Sequence, residues 1–65
     1  MATETLIFPT AFSRRLAAEE GRFFAPRELT AMARRGEIPS LTTGEGLTLL
    51  KDCLATRQVL RARKR

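Results

Sequence analysis

Histidine, tryptophan and tyrosine are absent from this chain, and cysteine occurs once, as Cys53. Each absence closes off a chemistry. Without histidine, and with a single thiol, the usual zinc ligand sets cannot be assembled. One cysteine cannot form an internal disulfide. The missing His and Tyr, and the lack of a carboxylate pair in an apolar setting, leave no acid–base constellation. Glu19 and Glu20 read as a solvated pair on a helix surface. The expectation is a protein that is not an enzyme and holds no metal or cofactor. No apolar run nears the ~20 residues of a membrane span. The opening Met1-Ala2-Thr3-Glu4-Thr5 has neither the basic start nor the apolar block of a secretory signal. Cys53 stands in an apolar run and reads as a small buried hydrophobe in a reducing compartment, so the cytoplasm is the expected location.

What is present is charge, unevenly placed. Residues 1–56 carry seven Arg/Lys and seven Asp/Glu and are neutral as a body. Arg57, Arg61, Arg63, Lys64 and Arg65 then supply the whole net charge of +5. A basic tail on a small neutral body points to a polyanion, because cations that neutralise phosphates release condensed counterions. The 65 residues make a single domain, expected over 1–60, with 61–65 as a basic tail. A chain of this size buries only ~60% of its unfolded surface, so a dimer or other partner would add stability.

The elements follow from punctuation and periodicity. Thr5-Leu6-Ile7-Phe8, closed by Pro9, reads as a brief strand. A first helix starts near a Thr10 or Ser13 cap, places Phe12 and Leu16 on one stripe and stops at Gly21. Arg22-Phe23-Phe24-Ala25 is a connector, and at least one of its two aromatics belongs in the core. Pro26 suits the first turn of a second helix that runs to Arg35 and closes at Gly36. Leu29, Met32 and Ala33 form that helix's apolar face, and Arg27, Thr30, Ala31 and Arg34 its opposite face. Residues 37–50 read as a hairpin around Thr42-Thr43-Gly44-Glu45-Gly46, with Leu47 and Leu49 on one side and Pro39 marking an edge. A last helix is expected from Lys51 to about Leu60, burying Leu50, Cys53, Leu54 and Leu60.

The expected class is therefore α+β, small and mainly helical. Two helices, a hairpin and a further helix, with a short N-terminal strand in front, form the plan of a winged helix-turn-helix. In that plan the second helix enters the major groove. Arginine can bond guanine O6 and N7 bidentately, threonine reaches several base edges, and a small alanine allows close approach.

The segment Arg34-Arg35-Gly36-Glu37-Ile38-Pro39-Ser40-Leu41, then Gly44 and Leu47-Thr48-Leu49, resembles the excisionase and MerR-type DNA-binding domains. Leu50–Arg57 is similar to their closing helix. The resemblance covers residues 26–57 well and residues 10–25 only as a helix and a turn. It implies a phage, plasmid or genomic-island protein that binds double-stranded DNA, either to recruit an integrase during excision or to repress transcription. It assigns Arg27, Thr30, Ala31, Arg34 and Arg35 to the reading helix and Thr42 and Thr43 to the flank of the wing, where hydroxyls bond phosphate. The basic tail, Arg57, Arg61, Arg63, Lys64 and Arg65, suits phosphate or a neighbouring protomer. Three features depart from the family pattern. The connector is longer than the tight MerR-type turn. Glu45 stands at the wing tip where the family has a cation. Met32 stands nearest the place of the usual recognition-helix aromatic.

Two other readings compete. Thr5–Pro9 followed by two helices also resembles a dimeric ribbon-helix-helix repressor, in which Thr3, Thr5 and Ile7 would read bases while Leu6 and Phe8 were core. A protein-binding adaptor or antitoxin anchored by Phe23 or Phe24 is the non-DNA alternative.

Overall fold

The computed structural model describes residues 5–63, so Thr3, Lys64 and Arg65 lie outside the described residues. The order is strand β1 (Thr5–Ile7), helix α1 (Pro9–Glu20), helix α2 (Pro26–Arg34), strands β2 (Ser40–Thr42) and β3 (Thr48–Asp52), and helix α3 (Leu54–Ala62). The strands form one antiparallel sheet in the order β1-β3-β2. This is a small α+β fold of three helices and a three-stranded antiparallel sheet. No helix among the described residues is long and apolar enough to cross a membrane.

Local chemistry sets most boundaries. Pro9 both ends β1 and opens α1, where its missing N–H is one of the donors a helix start leaves unpaired anyway. The cap is the extended Phe8, not Thr10 or Ser13 as the sequence suggested. Ser13 is instead buried one turn into the helix, and its hydroxyl donates to the Phe24 carbonyl. That bond ties the connector to α1. Gly21 takes φ 69° and ends α1, with its N–H donating to the Ala17 carbonyl. Pro26 opens α2 from an extended Ala25. α2 stops at Arg34, one residue before the expected end. Gly36, at φ 79°, reverses the chain, its N–H reaching Ala33 O while Glu37 N–H reaches Met32 O. Those two bonds satisfy carbonyls that the helix end would leave open.

The core lies between the helices and one face of the sheet. It contains Ile7, Phe12, Leu16, Phe24, Leu29, Met32, Ala33, Ile38, Leu50 and Leu60. Of the two connector aromatics, Phe24 is core and Phe23 is 62% exposed. Leu29, Met32 and Ala33 are all buried, as their spacing requires.

The C-terminal third departs most from expectation. Lys51 does not begin a helix. β3 continues through Asp52 because β1 pairs with it there, Leu6 opposite Lys51 and Thr5 opposite Asp52. Strand geometry then sends Leu50 into the core, opposite Ile7. Leu49 faces the other way, opposite Leu41. Leu47 is exposed, so the pair read as apolar strand positions lines the open side of the sheet. α3 begins at Leu54 and runs to Ala62, so Arg61 belongs to the helix and not to a frayed tail. The buried side chains of α3 are Thr56 and Leu60. Leu54 is 66% exposed, against its expected place in the core. Cys53 is half-buried, with its Sγ 3.3 Å from Thr56 Oγ1.

The N-terminal strand has an intrachain partner. Ile7 is buried, whereas Leu6 and Phe8 are 44% and 55% exposed. This reverses the inside–outside pattern that a ribbon-helix-helix repressor needs.

Candidate nucleic-acid interface

α2 carries the cationic face that the sequence predicts. Glu28 in its first turn and Arg34 in its last suit the helix dipole. Because Leu29, Met32 and Ala33 anchor one side, Arg27 and Arg34 stand exposed on the other, with Ala31 half-buried between them. The two guanidiniums are seven residues apart, about two turns or ~10 Å along the axis. Thr30 donates its hydroxyl to the Pro26 carbonyl at 3.0 Å, which leaves only its oxygen lone pairs for a partner. Arg35 lies just beyond the helix end and is tied to Glu37, Nε to Oε2 2.6 Å.

The turn between β2 and β3 is built locally. Thr43 N–H donates to Leu47 O, and Gly46 N–H to Thr43 O. Gly46 has φ 87°, the left-handed residue expected of a three-residue hairpin loop. The Thr43 hydroxyl oxygen accepts from Glu45 N–H and Leu47 N–H, so it is part of the turn. Thr42 is exposed on β2, and Glu45 is exposed at the tip.

Arg57, Arg61 and Arg63 face inward, onto acids of the body. Arg57 reaches Asp52 with two nitrogens, at 2.9 and 3.1 Å, and reaches Glu19 and Glu20 at 2.8 and 3.0 Å. Arg15 adds a 2.6 Å bond to the same Asp52. Arg61 pairs with Glu20 at 3.2 Å, and Arg63 pairs with Glu37 at 2.8 Å and Glu28 at 3.9 Å. The Arg57 bond holds the Asp52 carboxyl below the usual Asp range, and Arg61 does the same for Glu20. Arg35, with a smaller contribution from Arg63, does so for Glu37. The three carboxylates push the Arg57 guanidinium further up, Asp52 most of all.

This pairing moves the effective positive charge. Arg57, Arg61 and Arg63 cancel acids that periodicity alone had balanced against body cations. Among the described residues, Arg14, Arg27 and Arg34 are exposed and make no ion pair or side-chain hydrogen bond. Among the described residues, the exposed guanidiniums without a partner therefore sit on α1 and α2. Sequence reasoning assigned no role to Arg14, Arg15 or Arg22. Arg22 donates to the carbonyls of Leu60 and Arg61 and so closes the end of α3. The partners of Arg15 and Arg22 lie 37 to 39 residues away, beyond the reach of any local pattern.

No protein-family model matches the chain, and neither a curated protein nor a solved structure does.

Proposed function

We propose that this protein binds double-stranded DNA as a winged helix-turn-helix, with α2 in the major groove and the β2–β3 hairpin beside it. The reading extends to an excisionase-like directionality factor or a small repressor, with an integrase or a second copy as its protein partner. One observation carries it: Arg27 and Arg34 project from one open helix face without an acid to satisfy them, while Arg57, Arg61 and Arg63 are consumed internally. Arginine on an otherwise small-residue helix face is the side chain that reads guanine edges. The exposed Thr42 hydroxyl supplies a neutral phosphate contact, which fits a tip that carries Glu45.

The test is titration of the isotopically labelled protein with random and then selected duplexes. Binding at low salt, its loss by ~200 mM salt, and shifts at Arg27, Thr30 and Arg34 are expected. Unperturbed signals at those three residues sink the proposal. The exposed Phe23 and the open sheet face with Leu6, Leu41 and Leu47 favour one second reading, a protein-binding adaptor. That reading predicts no duplex binding at any salt concentration.

A further inference from the structure

The two acids next to the reading face need an explanation. Glu28 lies in the first turn of α2, and Glu37 follows its end. Unscreened carboxylates here would repel the phosphates that Arg27 and Arg34 approach, and Arg35 already engages Glu37 Oε2 at 2.6 Å. Glu28 and Glu37 are nine residues apart, which on a continuous helix is ~13 Å. The reversal at Gly36 removes most of that distance. Glu37 N–H bonds back to Met32 O, so Glu37 returns alongside Met32, one turn from Glu28. One guanidinium then spans both carboxylates. It belongs to Arg63, with Nη1 2.8 Å from Glu37 Oε1 and Nε 3.9 Å from Glu28 Oε2.

Arg63 is itself held in place. Its N–H donates to Leu60 O, and Arg22 grips the same end of α3 by donating to Leu60 O and Arg61 O. A continuous tie therefore runs from the α1–α2 connector, through the end of α3, to the start and exit of α2.

We propose that Arg63 is a positioning residue of the reading helix: it staples α3 to Glu28 and Glu37, fixes α2 on the body and masks both carboxylates from DNA, without touching phosphate itself. The DNA part of this statement rests on the function proposed above, whereas the staple does not.

The experiment uses the full chain with Arg63→Gln, Arg63→Lys and Glu28→Gln/Glu37→Gln, the last pair alone and combined with Arg63→Gln. Without DNA, Arg63→Gln raises the Glu37 titration midpoint and speeds amide exchange in α2. Arg63→Lys restores part of both, since an ammonium engages one carboxylate at a time. With DNA, Arg63→Gln weakens binding about 2–5-fold, the scale of an exposed ion pair, and leaves the salt slope unchanged. The loss disappears in the double-glutamine background. An unmoved Glu37 midpoint and unaltered α2 exchange overturn the staple. A salt slope lower by about one phosphate, with a loss that persists in the double-glutamine background, makes Arg63 a phosphate contact and overturns the masking. If the wild-type protein binds no duplex, the functional proposal fails, and the DNA-free measurements still decide the staple.

Discussion

The guanidinium of Arg57 meets Asp52 of β3 and Glu19 and Glu20 of α1, joining three elements through one side chain. Asp52 and Glu20 are held charged in the folded protein by these bonds, so their folded pKa values lie below the unfolded ones. The unfolded chain then binds more protons in the acid range, and stability falls as pH drops through that window. Urea midpoints are expected to be flat from neutral pH to about 5 and to decline below ~4, where free Asp and Glu titrate. Asp52→Asn should lower the neutral-pH midpoint and flatten the acid limb. An acid limb as steep as wild type would remove Asp52 from this account. Burial separates two leucines of α3 in the same way. Leu60→Ala is expected to cost ~2–5 kcal/mol, because Leu60 is 1% exposed. Leu54→Ala should stay within about 0.5 kcal/mol, as for a surface position. Chemical denaturation of the two variants side by side checks both.

At the scale of elements, α2 and α3 divide the arginines between them, α2 presenting and α3 binding inward. Arg27→Ala and Arg34→Ala should each cost ~1–3 kcal/mol on a preferred site and less on random duplex, whereas loss of a phosphate contact lowers the log–log salt slope of DNA affinity by about one. Arg61→Ala should leave the slope unaltered, because its guanidinium is spent on Glu20. A slope lowered by about one in Arg61→Ala would make Arg61 a phosphate contact. α2 was legible in the residues because all its determinants are local: Pro26 at one end, Gly36 at the other, and Leu29, Met32 and Ala33 between. The hairpin was legible for the same reason, through Gly44-Glu45-Gly46. α3 was misread because its true start depends on β1. Leu50, Cys53, Leu54 and Leu60 fit a helical stripe until Thr5 and Leu6 claim Asp52 and Lys51 as strand partners. The free arginines of the candidate interface were readable as a face. That Arg57, Arg61 and Arg63 would be neutralised was not, since apart from Asp52, five residues before Arg57, their acids sit 26 to 41 residues away.

For the whole molecule, β3 is the organising element, with β1 on one side and β2 on the other and the helices over its inner face. Removing residues 1–7 deletes one of three strands and the buried Ile7. Amide protection at Leu50, Lys51 and Asp52 should fall sharply, while the local β2–β3 turn keeps its chemical shifts. Unchanged protection in the truncated chain would make β1 dispensable. The sheet order also bears on synthesis. β1 leaves the ribosome early, but the strand that receives it is translated more than forty residues later, and contacts so distant in sequence form late. The core draws on both halves of the chain, so an interrupted translation product would carry α2 without Ile38, Leu50 and Leu60 to complete its packing. Proteases would clear such fragments, and the cellular dose of active protein would follow completed chains alone.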